Sequence, residues 1–312
     1  MSRRPRSSPI VVRLLREGIT ESVHTCTVAV ADHRGRIITG AGDYQQETFA
    51  RSCLKPIQAL PALTTGTLER FKLNDRHLAI MCASHQGTID HGRLAFQVLW
   101  QCDIEPQYLK CPQQNHQSVL QHNCSGKHSG MLAVCRHQNW SLNDYTDRDH
   151  PVQQLIREKL GELLQMPPDE LISAHDDCNA PTYLLEVGQL ASLYAYLSGH
   201  EHIHLERIAR AMTTYPEVIG GTGQFDTEVM TLTGGTIVSK SGAEGLQCLG
   251  KMTEAMGIAI KVADGSKRAK HAVAIHVLRQ LGWVNSAITD RLAEMFLKIG
   301  EYSRLEVEGE LA

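Results

Sequence analysis

Two serine–lysine pairs carry the first residue types whose spacing promises chemistry. In "RSCLKPIQ" (51–58), Ser52 stands three residues ahead of Lys55, one helical turn away. A serine hydroxyl is a poor nucleophile at neutral pH and needs a neighbouring base. Lysine serves as that base when burial or a second cation disfavours its charged form. A helix start adds backbone N–H groups that favour developing negative charge. The same spacing also suits a plainer arrangement, with Ser52 capping a helix and Lys55 in solvent. Four residues alone do not decide between the two. A second pair can be drawn between Ser84, in the small-residue turn "CASHQGTIDHG" beside His85, and Lys267, in "VADGSKRAKHA" at a strand-to-helix junction. Alone, Lys267 reads as a solvated first-turn lysine.

"HNCSGKHSGML" (122–132) is the most unusual stretch. Its Cys124, Lys127 and His128 fall on one face of a helix start. "AHDDCNAP" (174–181) adds His175, Asp176, Asp177 and Cys178. Together these are thiolate, imidazole and carboxylate donors of the kind zinc takes. No paired C-x-x-C array is present, so buried thiols, a capping Asp177 and a structural histidine explain the same residues. A lysine ligates a metal only after losing its proton, which makes such binding pH-dependent.

The elements that must position these residues divide by periodicity. "VVRLLREG", "SVHTCTVAVAD" and "GRIITGAGD" alternate as consecutive strands, with "DHRGR" (32–36) as a hairpin turn. A helix is expected from Ser52–Leu54 through "LKPIQALPALTT", with Pro56 in its first turn. "LAIMCAS" (78–84) is a buried strand or helix end that delivers Ser84. From about Thr88 to Met230 the pattern is mostly helical, including "PTYLLEVGQLASLYAYL". Strand signals return with "GTIVSKSG", "GLQCLG" and "GIAIKVADG", and two amphipathic helices follow. Strands at both ends with a helical middle predict an α+β fold, one sheet built from N- and C-terminal strands with an inserted helical lobe. "GGTGQFDT" (220–227) is neither a P-loop nor a dinucleotide fingerprint and reads as a close-packing turn.

Composition narrows the function classes. The 312 residues are 42 % hydrophobic and 21 % charged with a net charge of −3, an ordinary globular balance that points to neither nucleic acid nor acidic lipid. No apolar run approaches the roughly 18 residues of a membrane span. Arg13 and Arg16 interrupt any signal-peptide core. Nine cysteines without regular spacing do not suggest a disulfide framework, so a cytoplasmic location is expected. Residues 1–9 are expected as a disordered tail and 10–312 as a single domain, its helical lobe about 88–230.

"VSKSGAEG" at 238–245 adds a K-S-G element to S-x-x-K, a combination found in penicillin-recognising enzymes, although "SKSG" is also ordinary hairpin composition. Taken in order, "RSCLKPIQ", "CASHQG", "HNCSGKHSGML", "DDCNAP", "GTGQFDT", "SKSGAEG" and "VADGSKRA" resemble the asparaginase II family, the rhizobial inducible type of L-asparaginase, across residues 10–310. The resemblance implies a serine β-lactamase/glutaminase-like fold and hydrolysis of L-asparagine to L-aspartate and ammonia. It implies Ser52–Lys55 and Ser84–Lys267 as catalytic tandems. Its zinc site maps onto Cys124, Lys127 and Cys178 with Asp176 close by, and Arg51 precedes the nucleophile. Arg51, His85, Asp176 and Lys240 are the residues expected at substrate. A homodimer acting on a small molecule is expected. Three other readings use the same residues: a glutaminase, a β-lactam-recognising amidase, and a zinc-stabilised binding module without catalysis.

Overall fold

The computed structural model describes residues 7–113 and 117–312; the basic opening residues 1–6 lie outside the described residues. Strands β1 (Ile10–Arg16), β2 (Ile19–Ala31) and β3 (Ile37–Ala41) occupy the three alternating runs. The β2–β3 turn closes because the Asp32 carboxylate accepts the N–H groups of Arg34 and Arg36, each at 3.0 Å. A short β4 (Glu47–Phe49) precedes the Ser52 turn. β5 (Ser173–His175) and β6 (Pro181–Glu186) pair antiparallel. The expected helix over "PTYLLEVGQLASLYAYL" therefore starts late. "PTYLLE" carries the strand formers Thr182 and Tyr183. The helix Val187–Ser198 begins only after Glu186, which forms a capping box with Gln189.

β7 (Ile237–Ser241), β8 (Leu246–Lys251) and β9 (Met256–Val262) return as predicted. Beyond the two closing helices stand β10 (Lys298–Gly300) and β11 (Ser303–Glu308), which the sequence pattern did not predict. β10 is three exposed residues, whereas β11 does alternate, with Leu305 and Val307 set between Arg304, Glu306 and Glu308, but over a run too short to stand out beside the helix before it.

Two compact units result. The sheet unit takes the chain up to Cys53, Leu185–Gly199, and everything from Glu228. Its eight strands run β10-β11-β1-β2-β9-β8-β7, with β3 also on β2, so the chain's early and late strands do build one antiparallel sheet. The inner strands are buried residue after residue, as in a sheet covered on both faces. The helices Val187–Ser198 and Lys267–Gln280 pack on it. Glycine sets how close the first lies. A Cβ on Gly257 would stand 2.0 Å from the Ala191 carbonyl oxygen.

The helical unit comprises Leu54–Leu184 and His200–Thr227. The helix expected from residue 54 forms in two pieces, Lys55–Gln58 and Leu60–Thr64, with Pro56 in the first turn of one and Pro61 in the first turn of the other. "LAIMCAS" resolves as a helix end. Asp75–Met81 starts at Asn74, whose side chain accepts from Arg76 and His77, and it stops just short of Ser84. The Ser125–Gln138 helix crosses it at glycine. A Cβ on Gly126 would meet the Ile80 carbonyl oxygen at 2.0 Å, and one on Gly130 would meet the Met81 side chain at 2.8 Å. Among the described residues, no helix is long and apolar enough to cross a membrane.

Gly126→Ala forces the two helices apart at a backbone atom that cannot rotate away. Urea unfolding is expected to show a loss of about 1–3 kcal/mol or more. Wild-type stability in this variant refutes the packing argument.

Candidate active site

Lys55 opens its helix with no solvent exposure. Its Nζ donates to Ser84 Oγ at 2.9 Å, to the Asn123 carbonyl at 3.3 Å, and to the Ala83 carbonyl. Ser84 itself is half-buried. Its loop is pinned by Ser84 N–H to the Ile219 carbonyl (2.9 Å) and Gln86 N–H to the Gly220 carbonyl (3.1 Å). Gly221, at φ +105°, lies so near Gln86 that a Cβ would meet Oε1 at 2.4 Å. The "GGTGQFDT" stretch is thus a close-packing turn that holds the serine loop.

Ser52 belongs to the sheet unit, on the 3₁₀ turn Arg51–Leu54. Arg51 sits at φ +46°, a left-handed conformation that costs energy for a bulky residue. Tyr194 Oη donates to the Cys53 carbonyl (2.9 Å) and Cys53 Sγ to the Lys240 carbonyl (3.3 Å). These bonds tie the half-buried Ser52 turn to β7. Lys240 is buried without exposure, and its Nζ donates to the Ser241 carbonyl at 2.7 Å. Lys267 is exposed behind the Ser266 cap of its helix. One turn on, Lys270 is buried and donates to the carbonyls of Gly242 (2.6 Å) and Leu246 (2.9 Å), which braces the β7–β8 turn. Sequence reasoning missed Lys270. Type and spacing carried no signal for it, since Lys267 and Lys270 stand together in "KRAKHAVAIHVL" and the helix face alone separates them.

His85 is buried. Its Nδ1 accepts the Gly87 N–H (3.1 Å), so Nε2 carries the proton and donates to Ser125 Oγ (3.0 Å), which donates on to the Leu120 carbonyl (2.7 Å). The ring stacks on His91 at 4.7 Å. Burial, followed by the fields of His91, Lys55 and His122, holds its pKa well below the ordinary histidine value. Both nitrogens are taken within the unit, so His85 shapes the loop and offers substrate no ring nitrogen.

Cys124, Lys127 and Cys178 converge in the helical unit, all buried. Lys127 Nζ lies 3.0 Å from Cys178 Sγ. A hydrogen bond from Cys124 is the chief cause that holds Cys178 far below an ordinary thiol, with Lys127 and His128 assisting against burial. Cys124 is raised well above, by that same bond and then by burial. Burial works against the Lys127 ammonium, yet the Cys178 and Cys124 sulfurs and the half-buried Asp176 raise its pKa. Burial pulls His122, whose Nδ1 accepts the Cys124 N–H at 3.1 Å, down to about 4.

Among the described residues, no three His, Cys, Asp or Glu side chains gather at one metal-binding point. The third donor here is the lysine amine. Two thiols and an amine, with the His128 Nε2 buried beside them and lacking a well-formed hydrogen bond, fit a borderline-soft divalent cation such as zinc.

A histidine buried neutral destabilises the fold once it must charge. The unfolded chain then binds the extra proton from about pH 6.5 downward, so stability is full above that pH and falls with acidification. His85→Asn is expected to flatten the slope of unfolding free energy against pH below 6.5, by up to about 1.4 kcal/mol per pH unit. An unchanged slope refutes a neutral buried His85.

Comparison with known proteins bears on this geometry. A search of curated protein sequences returned no significant match. Among solved structures, a crystal structure titled as Mglu in its native form aligns with 83 % of the chain at TM-score 0.50 and 16 % identity, and the chain spans 64 % of that protein's length. A β-lactamase from Mycobacterium bovis aligns with 87 % of the chain and 95 % of its own at TM-score 0.46 and 13 % identity. The α+β fold expected from the sequence is therefore the one observed, with a likeness to Mglu at the level of fold. The family described as L-asparaginase II matches residues 12–312, nearly the whole sequence. The chain belongs to the L-asparaginase II family.

Proposed function

We propose that this amidohydrolase converts L-asparagine to L-aspartate and ammonia by serine acyl transfer. One observation carries the reading: within an L-asparaginase II chain, a fully buried Lys55 Nζ lies 2.9 Å from the Ser84 hydroxyl, a contact a proton can cross. Burial disfavours the charged amine and so supports a lysine that can take a proton.

Ser52, presented by the left-handed Arg51 turn, is the nucleophile. Its Oγ attacks the side-chain amide carbon as its proton passes to the neutral form of Lys55, three residues on in the sequence. The oxyanion needs donors near Ser52. The Cys53 N–H is not among them, since it is bound to the Ala50 carbonyl at 3.1 Å. Lys55 returns the proton through the Ser84 hydroxyl to the amide nitrogen. The C–N bond breaks, ammonia leaves, and an aspartyl ester on Ser52 remains. Water then attacks that ester, giving its proton to Lys55, and the carbon–Oγ bond breaks as Ser52 recovers a proton.

The second base is Lys240 in this reading. Lys267, expected in that role, is exposed, whereas Lys240 is enclosed, and burial disfavours the charged form of an amine. Lys240 also belongs to the same unit as Ser52.

Cys124, Lys127 and Cys178 would hold one zinc ion. Bound there, zinc supplies a fixed positive centre that orients the Asp176–Cys178 loop and substrate. Lys127 must give up its proton for this, so loading strengthens with rising pH. The nine cysteines are all free and buried, which supports a reducing, cytoplasmic setting. A homodimer is the default assembly for such an enzyme.

Ammonia release from L-asparagine should fall at least about 10³-fold in Ser52→Ala, and about 10²–10⁴-fold in Lys240→Ala, with Lys267→Ala near wild type. Retained activity in Ser52→Ala defeats the nucleophile assignment. Turnover of L-glutamine alone, or stable acylation by penicillin, shifts the substrate class. Metal analysis is expected to find one zinc per chain, and a chelator that removes it should lower the melting temperature. A metal-free, unchanged protein overturns the zinc site.

A further inference from the structure

The Ile89–Gln101 helix buries one face in the helical unit and turns an apolar stripe to water on the other. Leu94, Ala95, Val98 and Leu99 are enclosed, and the helix packs against Ser125–Gln138. On the opposite side Trp100 is 73 % exposed, Ile89 66 % and Phe96 37 %. Apolar residues scattered singly on a surface need no explanation, but these are contiguous. At 3.6 residues per turn, Ile89, Arg93, Phe96 and Trp100 fall within roughly 60° of one another. The Phe96 and Trp100 rings lie 6.0 Å apart. Arg93 completes the stripe. Its 3.5 Å contact with Asp90 joins two largely exposed side chains and so holds it weakly. The helix itself is firmly set. Thr88 Oγ1 accepts the His91 N–H at 3.3 Å as its cap, and His91 Nε2 donates to the Glu217 carbonyl at 3.0 Å.

The order of the four residues selects the occupant. The steps between them are four, three and four residues, so the stripe reads the same from either end. A second copy of the helix, laid antiparallel about the midpoint, sets Ile89 of each chain against Trp100 of the other. At the centre it sets each Arg93 guanidinium over the other chain's Phe96 ring. Both pairings are favourable, apolar on apolar and cation over aromatic face. A parallel copy would instead bring the two Arg93 charges together. We propose that this chain self-associates through an antiparallel, two-fold contact of the Ile89–Gln101 helix, centred on Ile89, Arg93, Phe96 and Trp100. A self-complementary patch is what a two-fold homodimer requires, and aromatic residues with arginine are the types that carry interface energy. A single helix pair covers less than the roughly 1,200 Å² of a standard interface, so the dimer is weak and dissociates on dilution. The proposal rests on the homodimer reading above and supplies its surface; it does not depend on the substrate.

Sedimentation velocity of the full chain across a dilution series should show a monomer–dimer equilibrium. Trp100→Lys and Ile89→Glu should each weaken the dimer about 30-fold or more, because each sets a charge against an apolar side chain. Mixed in equal amounts, the two variants should form a heterodimer. The introduced carboxylate of one then meets the introduced amine of the other, and the native Ile89–Trp100 pair closes the far end. Melting temperatures check that both variants fold. Should one not, Arg93→Glu, which sets a carboxylate over the aromatic face, takes its place and should abolish the dimer as well. A dimer that persists in the single variants, or a mixture that stays monomeric, overturns the antiparallel contact and leaves the homodimer reading standing. A wild-type chain that stays monomeric at every concentration overturns both.

Discussion

A lysine with no access to water dictates much of the helical unit. Lys55 must find oxygen atoms for its amine inside the protein, because a buried amine without partners costs a fold dearly whether or not it is charged. Its partners come from two places in the chain: Ala83 and Ser84 after one helix, and Asn123 just before another. Those helices must therefore meet closely, and they do so where Gly126 leaves room for the Ile80 carbonyl. The missing side chain at residue 126 and the enclosed amine at residue 55 are two parts of one arrangement. The serine loop inherits its place from it.

The thiol cluster meets the same difficulty with softer atoms. Lys127 is as enclosed as Lys55, but its partner is sulfur rather than carbonyl oxygen. The hydrogen bond between the two cysteines holds the Cys178 thiol down and pushes the Cys124 thiol up, so the pair divides its acidity beside one amine. The helical unit thus contains two enclosed lysines in different chemical surroundings. A proton on Lys55 is shared with oxygens that do not titrate near neutral pH, and a proton on Lys127 answers to sulfur.

Much of this was legible in the residues. Ser52, Lys55 and the cysteine segments stand out by type and spacing, and the antiparallel sheet from distant strands follows from where the alternating runs lie. Burial of individual lysines was not legible. Lys240, Lys267 and Lys270 look alike in sequence, and only the face each side chain takes on its strand or helix separates the enclosed from the exposed. The "PTYLLE" strand merged with the helix after it because both are apolar, and periodicity cannot cut a short run from a longer one. Arg51's left-handed turn was hidden as well, since nothing about arginine announces positive φ.

The pairing of β1 with β11 sets an order on assembly. From Val11 against Glu308 to Arg16 against Ser303, these contacts join residues nearly the whole sequence apart. A chain emerging from the ribosome can close the β1–β2–β3 meander at once, yet the outer edge of β1 waits until residue 308 has appeared. Throughout that interval the nascent sheet exposes an unpaired strand edge, the kind of template on which other chains add.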